Sequence, residues 1–141
     1  MSRSPLAGWR TAARVACGAG ALGSLALMLY AGRHNTHRLI TALFIVWVLA
    51  PFASLALADF RSGGWPALTR RALYGVTILV ALASVALYAA NAVWPRKEQA
   101  AFVYVAVPPA TWLASAVVLA IAAMASRASA RKNGGNRVPE R

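Results

Sequence analysis

Acidic residues, and charged residues in general, are scarce in this sequence. Of 141 residues only 3 are Asp or Glu, against 15 Lys or Arg; 13% of the chain is charged and 60% is hydrophobic. A soluble domain has about 25% charged residues and is about half apolar. A chain this short could not hide so much apolar surface in one core. The composition therefore predicts a membrane protein.

Cysteine is nearly absent as well. Cys17 is the only one, so an internal disulfide and a metal site built on thiolates are excluded, and a buried, inert thiol is expected. The sequence also lacks paired carboxylates, a P-loop, a Ser/His/Asp constellation and a CxxC pair. We therefore expect no catalytic site, no cofactor and no enzymatic activity.

Long apolar runs are what the sequence does contain. Four of them, at about residues 12–30, 39–58, 72–93 and 101–125, approach the roughly 20 residues that cross about 30 Å of hydrocarbon. No clean cleavage site closes the first run, so we expect a retained helix there instead of a signal peptide. Short connections favour antiparallel neighbours. The sequence predicts an all-α fold, a four-transmembrane-helix up-and-down bundle over residues 1–126.

Basic residues fall unevenly on the connections. Eleven lie in the N-terminal flank, the second connection and the tail: Arg3, Arg10, Arg14, Arg61, Arg70, Arg71, Arg127, Arg131, Lys132, Arg137 and Arg141. Four lie in the first and third connections: Arg33, Arg38, Arg96 and Lys97. Since Lys and Arg favour the cytoplasmic side, both termini are expected there. Abundant Ala, and Arg in excess of Lys, favour a bacterial source and hence the inner membrane.

The basic segments also indicate which partners the chain binds. They alternate with apolar runs, which favours attraction to anionic lipid headgroups. No basic stripe is interleaved with aromatic residues, so nucleic-acid binding is not expected. The tail, residues 127–141, is basic and without apolar periodicity. We expect it to be disordered or to lie on the membrane surface.

Small residues mark one face of the first span. Ala16, Gly20 and Ser24 recur every four residues, with Gly23 alongside. Helices in lipid pack through small residues, because these let the backbones approach closely. We expect this face to be a helix-packing surface, either within the bundle or against another copy of the chain.

Prolines interrupt the second and fourth spans. Pro51, Pro108 and Pro109 each remove a backbone hydrogen bond, so structural kinks are expected. The fourth span could instead be broken, with a helix starting at Pro108 and 101–107 as a separate segment. Trp47, one turn before Pro51, is expected to pack against another helix instead of contacting a ligand.

Asp59 is the only acidic residue near the hydrocarbon. An ionisable residue there is a functional candidate by default. It lies at the end of the second span and close in sequence to Arg61, Arg70 and Arg71. We expect a structural ion pair with these arginines in preference to proton transport.

Two histidines, His34 and His37, stand three residues apart in the first connection. This spacing could place both imidazoles on one metal ion. No carboxylate or thiolate accompanies them there, and the flanking Arg33 and Arg38 would repel a cation. Solvated loop histidines are therefore expected, and no metal site.

Four segments of the sequence are similar to segments of known proteins: Tyr30–Asn35, Trp47–Ala58, Thr69–Val76 and Val107–Leu113. Through them the chain resembles small four-span bacterial inner-membrane proteins of unassigned function. The resemblance implies the four-span topology and a bacterial origin. It implies no catalytic or binding residue.

Three hypotheses for function follow. A structural or accessory membrane protein, packing with itself or with a larger membrane complex, is favoured by the small-residue face and by the lack of deep charges. The alternative is a small oligomeric transporter, which without a deep acidic residue would favour a neutral or anionic solute. The third is a holin-like pore former with a basic cytoplasmic tail.

Overall fold

Four long helices make up nearly all of the chain that the structure describes. The computed structural model describes residues 5–34, 36–94 and 100–135, and the side chains of 7–34, 36–94 and 102–132. The helices are α1 (Pro5–Ala31), α2 (Arg38–Arg61), α3 (Ala67–Val93) and α4 (Ala100–Gly135), with a 3-10 turn at Ser62–Gly64. All four are long and apolar enough to cross a membrane. The prediction of an all-α, four-helix transmembrane bundle is confirmed.

The tail differs from its prediction. α4 continues without interruption to Gly135, so residues 127–135 are helical and not disordered, and the alternative that they lie on the membrane surface stays a prediction. Ala, Arg and Lys are good helix formers, and Arg131 and Lys132 lie near the helix C-terminus, where basic charge is favourable. Residues 136–141 of the tail lie outside the described residues.

Polar contacts between the helices show that the bundle has an up-and-down order. Arg14, in the first half of α1, bonds Asp59 near the end of α2. Thr69, near the start of α3, shares a 3.1 Å hydrogen bond with Ser126 in the second half of α4. Neighbouring helices therefore run antiparallel. We call the end of the bundle that holds these contacts and the α2–α3 connection the Asp59 end.

α1 and α3 form the most extensively packed helix pair. A Cβ atom built on Gly20 would lie 2.7 Å from the Cβ of Ala81, so any side chain at position 20 would push the helices apart. A Cβ on Gly23 would lie 3.3 Å from a valine methyl of α3. Ser24 is fully buried, and Ala16 packs against the core. The small-residue face of the first span thus packs inside the bundle, against α3.

The proline-bearing helices are continuous. α2 runs through Pro51, and α4 runs through Pro108 and Pro109; the alternative of a separate segment before Pro108 is wrong. Proline at 109 cannot donate to the carbonyl of Val105 one turn earlier. The indole Nε1 of Trp47 donates to that carbonyl at 3.3 Å. A neighbouring helix therefore supplies the missing donor, as membrane helices with proline require. The kinks remain a prediction.

Aromatic rings join α4 to its neighbours. Trp47 meets Trp112 edge-on, with ring centroids 5.9 Å apart. Tyr88 of α3 stacks on Tyr104 of α4 at 4.8 Å. The indole of Trp47 thus packs against another helix, and the two aromatic pairs fix α4 against α2 and α3.

Candidate functional site

A groove of about 550 Å³ separates α1 from α2, with α3 behind it. From α1 the lining residues are Ala13, Arg14, Cys17, Gly18 and Ala21. From α2 they lie between Leu49 and Phe60, and Tyr74 and Thr77 of α3 form the floor. Small residues make up most of the α1 wall, and Ala53 and Ala56 interrupt the larger side chains of the α2 wall, while Gly20 holds α1 close to α3.

The groove runs along the helices from the Asp59 end. Its wall on α2 spans Leu49 to Phe60, which at 1.5 Å per residue is about 16 Å. That is about half of the roughly 30 Å thickness of a bilayer's hydrocarbon core. The groove therefore has about the depth of one leaflet.

Two arginines and one aspartate stand at its mouth. Asp59 accepts hydrogen bonds from Nε of Arg10 at 3.1 Å and from Nε of Arg14 at 2.7 Å. The carboxylate side chain is 11% exposed, whereas the arginine side chains are 44% and 50% exposed. The Arg14 guanidinium also lies 5.8 Å from the ring centroid of Phe60. We call these three charged residues the mouth cluster.

The partners of Asp59 differ from those predicted. Among the described residues, no salt bridge joins Asp59 to Arg61, Arg70 or Arg71. The reason is geometric: Arg10 and Arg14 are four residues apart and share a face of α1, and the antiparallel packing brings that face beside Asp59. The signal in the sequence was this spacing at the predicted cytoplasmic end, combined with antiparallel neighbours.

The interior of the groove is apolar away from the mouth cluster. The thiol of Cys17, partly buried, donates to the backbone carbonyl of Phe52 at 3.5 Å. The hydroxyl of Thr77 donates to the carbonyl of Leu73 within its own helix at 2.8 Å. Both polar groups are thus occupied by backbone acceptors, and the remaining lining is largely aliphatic and aromatic.

The loop histidines lie at the opposite end of the bundle. His34 is exposed, and its Nε2 accepts a hydrogen bond from Nε of Arg33 at 3.2 Å. His37 occupies the position just before α2. In the described part of the chain, no group of three or more His, Cys, Asp or Glu residues could hold a metal ion. Neither histidine contributes to the groove.

Comparisons with protein-family models, with curated proteins and with solved structures find no match.

Proposed function

We propose that this chain is a structural or accessory protein of the bacterial inner membrane, which packs with itself or with a larger membrane complex. The observation that carries the proposal is the close packing of α1 on α3, where Gly20 leaves no room for a side chain beside Ala81. The buried hydroxyls of Ser62 and Thr77, and the partly buried hydroxyl of Ser126, each donate to a carbonyl of their own chain segment at 2.8 Å. Small residues and internally bonded hydroxyls of this kind support helix packing.

Large apolar side chains cover the outside of the bundle. On α4, exposed Leu113, Val117, Ile121 and Met124 recur every three or four residues, which forms a continuous apolar stripe along one helix face. Such a stripe suits lipid and also a neighbouring transmembrane helix. It supports a protein whose outer surface is available for assembly in the membrane.

The distribution of charge supports cytoplasmic termini. The described basic residues at the Asp59 end are Arg10, Arg14, Arg61, Arg70, Arg71, Arg127, Arg131 and Lys132, whereas those at the opposite end are Arg33 and Arg38. Lys and Arg in short connections favour the cytoplasmic side. A fluorescent protein fused after Arg141 should therefore fluoresce, and alkaline phosphatase inserted after Gly32 should be active outside the inner membrane. The reverse pattern would refute the orientation.

Purification of the tagged full chain in a mild detergent, with native mass spectrometry, tests the accessory role. We expect a defined homo-oligomer or a stoichiometric complex with another membrane protein. A monomer that carries solutes across vesicle membranes would refute the accessory role and favour a transporter. Lysis on expression from an inducible promoter would instead favour a pore former.

A further inference from the structure

The mouth cluster carries more positive charge than its own aspartate neutralises. Two guanidinium groups and one carboxylate leave a net charge of +1. Arg10 and Arg14 each bond Asp59 through Nε, and within the described part of the chain their terminal nitrogens donate to no other residue. These nitrogens can donate to an anion, and about half of each side chain is exposed.

Asp59 holds the guanidinium groups of Arg10 and Arg14 in a fixed position relative to each other. A carboxylate that accepts from both Nε atoms holds the two guanidinium groups side by side, which lowers the entropy lost when an anion binds. Arginine also matches phosphate oxygens by geometry, because its planar group presents parallel N–H donors. The cluster therefore resembles a phosphate-binding site that its aspartate has preorganised.

An apolar groove leads directly away from this cationic mouth. It has a volume of about 550 Å³, within the roughly 300–1,000 Å³ that small-molecule sites occupy. It extends about 16 Å along α2, the depth of one leaflet. Basic pockets between transmembrane helices are known to bind acidic lipid headgroups. One molecule with an anionic head and a single-leaflet tail satisfies both halves of the site.

We propose that the groove between α1 and α2 binds one anionic phospholipid from the leaflet at the Asp59 end. The terminal nitrogens of Arg10 and Arg14 bind the phosphate, and an acyl chain lies along Cys17, Ala53 and Tyr74. This site goes beyond the proposed accessory role and does not depend on the oligomeric state. It would make stable packing of α2 against α1 sensitive to the acidic lipid content of the membrane.

Cys17 provides a direct probe, because it is the only thiol and lines the groove. The full chain in nonionic detergent is treated with a maleimide while phosphatidylglycerol is added, and in parallel with phosphatidylcholine or inorganic phosphate. We expect phosphatidylglycerol to slow alkylation saturably, and native mass spectrometry to show one lipid retained per chain. Neither phosphatidylcholine nor inorganic phosphate should protect the thiol.

Two matched pairs of variants separate the site from general effects. R10Q/R14Q should weaken protection by phosphatidylglycerol by a factor of about 10 or more, whereas R70Q/R71Q removes the same charge at the same end of the bundle and should keep it. Ala53→Phe fills the groove without changing charge and should abolish protection. Ala83→Phe, at an exposed position of α3 outside the groove, should leave protection unchanged. Ala53→Phe keeps the test decisive if the arginine variants fail to fold.

Several results would overturn the proposal. Equal protection by phosphatidylcholine would mean that the headgroup is not recognised, and protection by phosphate alone would mean that the site takes a free anion. An equal loss of protection in R10Q/R14Q and R70Q/R71Q would mean that phosphatidylglycerol responds only to the overall surface charge. Protection that rises with protein concentration, and not with lipid, would place a second copy of the chain in the groove.

Discussion

Replacing Trp47 by phenylalanine removes one hydrogen-bond donor from α2 while an aromatic ring stays beside Trp112. In the structure the indole N–H bonds the carbonyl of Val105, which Pro109 leaves without its helical donor. Hydrogen bonds between membrane helices are worth about 0.6 kcal/mol on average and about 1.7 at most. At 3.3 Å this bond is slightly longer than usual. We therefore expect Trp47→Phe to lower the free energy of unfolding by about 0.6–1 kcal/mol.

A double-mutant cycle isolates this bond. Pro109→Ala restores a backbone N–H four residues after Val105, so the carbonyl regains a donor within α4. In that background Trp47→Phe should be nearly neutral, which gives a coupling of about 0.6–1 kcal/mol between positions 47 and 109. Pro108→Ala is the matched control, because its N–H would face the carbonyl of Tyr104 instead. Its coupling to Trp47→Phe should stay below about 0.5 kcal/mol.

Unfolding in mixed micelles of mild detergent and SDS provides the assay. The rate of Cys17 alkylation reports the transition, because the thiol is partly buried and bonded to the carbonyl of Phe52 in the folded chain and should react faster once the bundle unfolds. Equal couplings for Pro109→Ala and Pro108→Ala would refute the reasoning. They would show that Trp47 stabilises the bundle by ring packing alone, and that the carbonyl of Val105 needs no donor from α2.

Three further predictions concern other contacts. In the same unfolding assay, Gly20→Ala should destabilise the bundle by about 1–3 kcal/mol, because the added methyl group clashes with Ala81. Gly75→Ala is the control: position 75 has open space around it, so this variant should stabilise the bundle by about 0.5–1 kcal/mol. Asp59→Asn should lower the free energy of unfolding by about 1 kcal/mol, since its arginine partners are half exposed; an equal effect in dilute and concentrated salt would contradict an ionic origin. Amide hydrogens of Arg127–Gly135 should exchange more slowly than those of a random coil, because α4 includes them; coil-like exchange would contradict the helix.

The ion-pair partners of Asp59 could not be identified from proximity in the sequence. Proximity in sequence suggested Arg61, Arg70 and Arg71. Arg61, two residues after Asp59, lies on a different face of α2, and Arg70 and Arg71 belong to α3. Arg10 and Arg14 lie more than 40 residues away and reach Asp59 because α1 and α2 run antiparallel. The four-residue spacing of Arg10 and Arg14 places both on one face of α1, but the relative height and rotation of α1 and α2 decide that this face meets Asp59.

The tail shows that a lack of apolar periodicity does not exclude a helix. Its lack of apolar periodicity favours disorder or a position on the membrane surface, yet α4 continues to Gly135. Periodicity reports which face a helix buries and not whether a helix forms. A helix already nucleated in the membrane extends through good helix formers at little further loss of entropy, so the basic segment follows the span that precedes it.

The sequence by itself determined the fold class, because four apolar runs of membrane-spanning length with short connections leave a helical bundle as the solution that satisfies every backbone group in lipid. It also identified the small-residue face and the three prolines. Only the tertiary structure decided that Gly20 packs on Ala81, that Trp47 serves the carbonyl freed by Pro109, and that a groove opens between α1 and α2. These features depend on the relative rotation and height of packed helices, which arise from all contacts together and from no single segment.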